Sequence, residues 1–296
     1  MSMNAILSAT HIDVFKHERY LPERTAVSLD PRDNRLLRAL PRADRARLAP
    51  LLQRVNLERG QVLSEQASEL HYVYFPISAV LSLQYALGDG STREIAGIGS
   101  EGVIGASLFM FDAVAPSQTL VQIGGAAYRG AADRMALEFS RGGAFQRLML
   151  RYVQTLFMQV TQSSMCNSRH SVEQRLCRWL LGTLDQGVAC ELVATHERLG
   201  EILGVRRESV TAAAGALQEC GAIRYRRGRL TVLDRHELEP RACECYAVVR
   251  QLHARLLQMG GEAALPARTS HPFIAPVRAL RGHQSNRDGW SQSALV

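Results

Sequence analysis

The spacing of apolar and polar positions changes more than once along the chain. From Asn34 to Leu52 it follows threes and fours. Leu36, Leu37 and Leu40 mark one short helix, and Leu48, Leu51 and Leu52 a second beyond Pro41. The period then drops towards two. Gly60 precedes Val62 and Leu63, Tyr72 and Tyr74 alternate with Val73 and Phe75, and AVLSLQYALGDGSTREIAGIG reads as a hairpin turning at Asp89-Gly90. Leu120 to Tyr128 supplies at least two more strands around Gly124-Gly125. Short strands parted by Gly-rich turns predict a small antiparallel roll or sandwich.

A helical period returns at Gly142. Phe145, Met149, Tyr152, Leu156 and Val160 recur at threes and fours, widened by Leu148, Val153 and Phe157, and the pattern persists to Gly182. A single helix of that length would approach ~60 Å. VEQRLCRWLLGTL, Val172 to Leu184, continues or restarts it. So long an apolar stripe is a poor surface for a monomer, which predicts a dimer through this helix.

The stretch Thr195 to Asp234 has the sharpest pattern. Thr195 is placed to cap a helix carrying Leu199, Ile202 and Leu203, and Gly204 stops it. A second helix, 206–220, has the stripe Val210, Ala213, Ala214 and Leu217. Ile223 and Tyr225 then alternate with arginines, Arg227-Gly228 makes a turn, and Leu230 and Val232 return. Helix, turn, helix and basic hairpin describe a winged helix-turn-helix, whose second helix enters the major groove. Its outward side carries Arg207, Glu208, Thr211 and Ala212, which can address base edges, with only a methyl at Ala212. Arg206, Arg224, Arg226, Arg227 and Arg229 suit phosphates.

This stretch resembles the DNA-binding segment of the Crp/Fnr family of bacterial transcription regulators. The likeness rests on LGEILGVRRESVTAAAGALQECGAIRYRRGRLTVLDR, with its Leu-Gly helix end, its Arg-Glu pair opening the second helix, its Gly-x-Ile, and its Asp-Arg after a basic turn. It extends in layout over about Leu36 to Leu257. The resemblance implies an α+β chain: an N-terminal antiparallel β-roll like a cyclic-nucleotide-binding domain, a long dimerisation helix, and a C-terminal winged helix-turn-helix. The expected boundaries are a flexible leader at 1–34, the roll at 35–141, the dimer helix at 142–170, the DNA-binding domain at 171–259 and a disordered tail at 260–296. Phe145, Met149, Tyr152, Leu156 and Val160 are the expected dimer contacts. The expected partners are double-stranded DNA, a second copy of the chain and RNA polymerase, with the effector unknown.

Family members that bind cyclic nucleotides carry Gly-Glu and, some ten residues on, Arg-Ser, for the ribose and the cyclic phosphate. Here the matching stretch is GASLFMFDAVAPSQT: Gly105 and Ser117 stand in place, but Ala106 and Pro116 replace the Glu and the Arg. Neither can make the lost bonds, so control by cyclic AMP is not expected.

Composition adds little that contradicts this. The net charge of +7 and pI near 9.4 suit a polyanionic partner. Lys16 is the only lysine, however, so placement matters more than number; between Gly204 and Arg235 seven arginines face three acids. The six cysteines form no C-x-x-C pair, and none precedes Cys166, where an N-terminal iron–sulfur site would need them. Cys166 and Cys177 read as packing residues, and His71 and His170 as ordinary histidines. Cys243 and Cys245, placed on a helix starting at Pro240, would point about 200° apart, a poor metal site. No metal, cofactor, catalytic constellation or membrane span is expected, and the location is expected to be cytoplasmic. The rival reading is an effector-binding or protein-interaction module whose winged helix no longer reads DNA.

Overall fold

The computed structural model describes residues 34–88, 92–110, 112–186 and 191–258. The expected leader apart from Asn34, which is buried and ordered into the fold, the expected tail, Asp89-Gly90 and Cys190 lie outside these residues. Two short helices, α1 (Arg35–Arg38) and α2 (Arg42–Leu48), open the described chain. Pro41 sits at the N-cap of α2, where its missing N–H costs nothing. Leu52 belongs to a strand rather than to the second helix.

The strands β1 (Leu52–Leu57), β2 (Val62–Ser64), β3 (Tyr72–Pro76), β4 (Val80–Ala86), β5 (Thr92–Ile98), β6 (Gln118–Ile123) and β7 (Gly125–Ala131) form two antiparallel sheets. Their orders are β1-β7-β3 and β2-β6-β4-β5. Leu57, Tyr74, Leu81, Ile98, Val121 and Ala127 fill the space between them. Strand β3 is covered on both sides. Tyr74 faces the inter-sheet core, while Val73 and Phe75 meet the helices packed outside.

Those helices are α3 (Ala132–Ser140) and α4 (Gly143–Arg169). At about 1.5 Å per residue α4 is ~40 Å long, shorter than an unbroken helix to Gly182. It ends because Ser171 caps the next helix, α5 (Val172–Asp185): Ser171 Oγ accepts from Gln174 N at 3.2 Å, and Gln174 Oε1 from Ser171 N at 3.0 Å. His170, in extended conformation, is the joint.

The stripe expected to meet a second copy is largely spent inside the protomer. Phe145, Met149 and Tyr152 are fully buried against Phe75, Phe109 and Tyr128, and Leu156 is half-buried on the same core. Val160 is half-buried. The bare face of α4 is a different one, carrying Leu150, Phe157 and Met165, which are 48%, 71% and 52% exposed. Phase alone misled, because apolar residues stand on both sides of this helix.

The C-terminal part contains β8 (Glu191–Val193), α6 (His196–Leu203), α7 (Arg207–Glu219), β9 (Ile223–Arg226), β10 (Arg229–Val232), α8 (Arg235–Leu238) and α9 (Cys245–Gln258). Its sheet has the order β8-β10-β9. Leu176, Leu180, Leu199, Leu203, Val210, Leu217, Leu230 and Leu238 share one core. Helix α9 starts at Cys245, not at Pro240. The helix α8, capped by Asp234, uses the preceding residues, and a turn follows it. Cys243 therefore lies before the helix, and the two cysteines are not held apart by helical phase. Helix α9 runs antiparallel to α4, tied by His253 Nε2 to Gln159 Oε1 at 3.1 Å and by Gln162 Nε2 to Cys245 Sγ at 3.0 Å. Among the described residues no helix is long and apolar enough to cross a membrane.

One polar side chain pins the start of the roll. Asn34 is wholly buried; its Oδ1 caps α1 by accepting from Leu37 N at 2.9 Å, and its Nδ2 donates to Pro76 O at 2.7 Å and Gly102 O at 3.2 Å. Asn34→Ala removes the cap and strands two carbonyls. Urea unfolding should lose about 2–4 kcal/mol with an unchanged m-value; a loss under ~0.5 kcal/mol would show the clamp to be dispensable.

Candidate nucleic-acid interface

Local chemistry sets the geometry of the two-helix unit. Thr195 Oγ1 accepts from Arg198 N at 3.1 Å and starts α6, and Glu197 sits in its first turn. Gly204 ends it in the left-handed region, at φ 64° and ψ 40°. Gly200 permits the tight passage: a Cβ there would lie 2.8 Å from the Val205 carbonyl oxygen. Helix α7 then buries Val210, Ala213, Ala214 and Leu217, and leaves Arg207, Glu208, Thr211 and Ala212 exposed on the opposite side.

Arg206 occupies the N-cap position of α7 and is exposed. Arg224 and Arg226 project from β9, and Arg229 from β10. Arg227 and Gly228 turn the hairpin with φ of 51° and 74°, the two positive values a two-residue hairpin loop of the primed kind requires. The unexpected third strand, β8, pairs with β10 through Leu192↔Leu230 and stiffens the wing from behind.

His196, absent from the expected site, links the three parts of this surface. Its Nδ1 lies 2.9 Å from Thr211 Oγ1, and its ring stacks on Tyr225 at 4.2 Å between centroids. Tyr225 in turn donates from its hydroxyl to the Ala194 carbonyl at 2.8 Å. Thr211 Oγ1 also lies 3.0 Å from the Arg207 carbonyl. With its single proton on that carbonyl and one lone pair towards His196, Thr211 offers a base only its methyl and one acceptor site. No spacing rule in the sequence joins residues 196, 211 and 225.

The opposite side of this unit rests on the roll. Glu94 of β5 accepts from Ser82 Oγ at 2.7 Å and Gln122 Nε2 at 3.3 Å. Burial pushes its carboxyl up, against the Ser82 hydrogen bond and the positive charges of Arg198 and Arg178. Gln186 Nε2 reaches the Gly97 carbonyl at 3.2 Å and Glu101 Oε1 at 3.3 Å, and Arg59 donates to the Val193 carbonyl at 2.8 Å. A cavity of about 290 Å³ opens along this seam, between Glu94, Asn167, Trp179 and Arg250.

Residues 174–241 match the Crp-like helix-turn-helix domain. A likeness in shape extends over about two thirds of the chain. FixK2 from Bradyrhizobium japonicum superposes with a TM-score of 0.53 at 13% identity, over 65% of this chain and 98% of that one. A transcriptional regulator of the Crp/Fnr family from Eubacterium rectale gives 0.55 at 18%, over 70% and 96%. A CRP-family regulator from Thermus thermophilus gives 0.54 at 16%, over 64% and 96%. At such identities the likeness is one of fold, and the fold is the α+β arrangement of the Crp/Fnr regulators. No curated protein matches the chain.

In the roll, the residues expected at the effector pocket lie around a short turn. Gly105, at φ 89°, leads into a 3₁₀ turn from Ala106 to Met110, and Ser107 Oγ donates to the Val114 carbonyl at 3.1 Å. Ala106 packs on the apolar core, Pro116 is exposed and Ser117 is buried. None of these four side chains brings a positive charge or a carboxylate to the turn.

His196 gives this surface a titratable element. Burial first, and then the Arg207 charge, hold its imidazolium below the ordinary 6.5. Since the fold favours the neutral ring, its contribution to stability is complete above 6.5 and falls away as the pH drops below it. NMR titration should therefore give a midpoint under 6.5, and Arg207→Ala should move it upward. An unmoved midpoint would separate His196 from the arginine.

Proposed function

We propose that this protein is a homodimeric, sequence-specific transcription regulator that lays α7 in the DNA major groove, one helix per half-site. The observation that carries this reading is the division of α7. One side is buried in the Crp-like domain, while the other is bare, opens with Arg207 and Glu208, and is flanked by a wing of exposed arginines. Arg207 can pair two donors with guanine O6 and N7, and Glu208 can accept from cytosine N4. Ala212 and Thr211 contribute methyl contacts. Arg206, Arg224, Arg226, Arg227 and Arg229 hold the phosphates and set the register.

Two copies meet through the outer face of α4, where Leu150, Phe157 and Met165 are exposed. Arg147, Leu150, Gln154, Phe157, Thr161, Ser164 and Ser168 form a face spaced alternately by three and four residues, with Met165 at its edge, the spacing of a left-handed helix pair. The two-fold axis makes the DNA site a palindrome with half-sites about one helical turn apart, ~34–36 Å. Control does not run through cyclic AMP, because Ala106 and Pro116 offer its sugar and phosphate no partner. RNA polymerase is a further partner if such a regulator activates transcription.

Selection of bound DNA from a random pool supplies the site for the decisive test. On it, Arg207→Ala should cost roughly 1–3 kcal/mol and relax preference at one or two positions per half-site. Arg227→Ala should weaken all sequences alike and reduce the salt slope by about one. Uniform weakening by Arg207→Ala would make that residue a phosphate anchor. No salt-dependent DNA binding at all would favour an interaction module instead.

Assembly is tested separately. Phe157→Glu changes a side chain that the protomer does not bury, so the fold should survive while sedimentation shifts from dimer to monomer. A dimer that persists would move the interface off this face.

A further inference from the structure

Four side chains with no part in the DNA-binding face converge where α4 ends and α9 begins. Cys166 lies in the last turn of α4, His170 just past its end, Cys243 before α9 and Cys245 at its first residue. Their ligand atoms all fall within 4.8 Å of one another. We propose that Cys166, His170, Cys243 and Cys245 bind one zinc ion as a tetrahedral Cys₃His site.

The distances fit that metal. Zinc bonds of ~2.3 Å to sulfur and ~2.0–2.1 Å to nitrogen imply edges of about 3.8 Å between sulfurs and about 3.6 Å between sulfur and nitrogen. Cys166 Sγ and Cys243 Sγ are 3.5 Å apart, and Cys245 Sγ and His170 Nδ1 are 3.5 Å apart. The sulfurs are too far apart for a disulfide, whose bond is about 2.05 Å. They are too close for an iron–sulfur cluster, which must fit several iron and sulfide atoms between its protein ligands. Soft thiolates exclude magnesium and calcium, and a donor set of three sulfurs with one nitrogen favours zinc.

The surroundings are those of a metal site. All three cysteines are buried. His170 presents Nδ1 to the cluster, and its other nitrogen, Nε2, lies 3.2 Å from Glu244 Oε1, the carboxylate–histidine pairing that orients a ligating ring. The Gln162 amide donates to Cys245 Sγ at 3.0 Å, as an amide does to a metal-bound thiolate. The charge also balances. Three thiols lose their protons to solvent on binding, so a zinc ion with three thiolates and a neutral imidazole carries one negative charge. Arg175, near Cys166 and Cys243, is buried, and its Nε has no hydrogen-bond partner. Burial disfavours a guanidinium with unmet donors, and a zinc–thiolate group would place an anion beside it. The site fastens the C-terminal end of the dimer helix to the start of α9.

The full chain, purified without chelators, should contain about one zinc per chain by elemental analysis. Cys243→Ser and Cys166→Ser should lose it, and Cys220→Ser, outside the cluster, should keep it. If the cysteine variants do not fold, the wild-type protein still decides. A mercurial thiol reagent should release its zinc to a colorimetric chelator, and cobalt in place of zinc should give the visible spectrum of a tetrahedral thiolate complex. Four results would overturn the assignment: a folded wild-type chain without metal, retention of zinc by both serine variants, iron with acid-labile sulfide, or a Cys166–Cys243 disulfide by mass spectrometry.

Discussion

The arrangement depends on the burial of one face of α4. Phe145, Leu148, Met149 and Tyr152 are enclosed among Phe75, Phe109, Tyr128 and Phe139. Burying such a side chain contributes about 1.5–3 kcal/mol, so the four together reach ~6–12 kcal/mol, the scale of a whole domain's net stability. This contact makes the helix part of the roll. It also fixes by subtraction which face remains for another molecule, and it aims the far end of the helix at the helix-turn-helix head.

The head was readable because its signals are local. A capping threonine, a left-handed glycine and a two-residue basic turn each act within a few residues, and Thr195, Gly204 and Arg227-Gly228 behave as their positions imply. The faces of α4 were not readable in the same way. With apolar residues at 145, 148, 149, 152, 153, 156, 157 and 160, several phases fit, and only the roll decides which one is buried. Strand β1 hides behind polar Gln53, Arg54 and Asn56. Its partner β7 is 68 to 78 residues away. The cysteine pair was misread for a smaller reason, a helix start five residues later than Pro240 suggested. His196 carried no signal, since its partners meet it only after the wing has folded over α7.

The contacts between roll and head are of another kind from those within each. Glu94, Gln186, Arg59 and Arg198 make polar contacts along a seam that also has apolar lining and opens into a cavity. Polar contacts of this sort resemble those between partners that separate, and they contribute little once water can replace them. The sulfurs and imidazole at the end of α4 are buried instead, and belong to the permanent part of the structure.

The interruption at His170 and Ser171 has a mechanical consequence. A continuous helix would carry twist from the roll to the head as a rigid shaft. Here the backbone ladder stops at the joint, and Ser171 begins a new one. The C-terminal part is held by the peptide link at the joint, by the lateral seat of α9 along α4 and by the side-chain contacts of the seam. The peptide link alone would leave it free to swivel. Its bearing on the roll is therefore set by side chains that meet from the flank, and not by a helix running through.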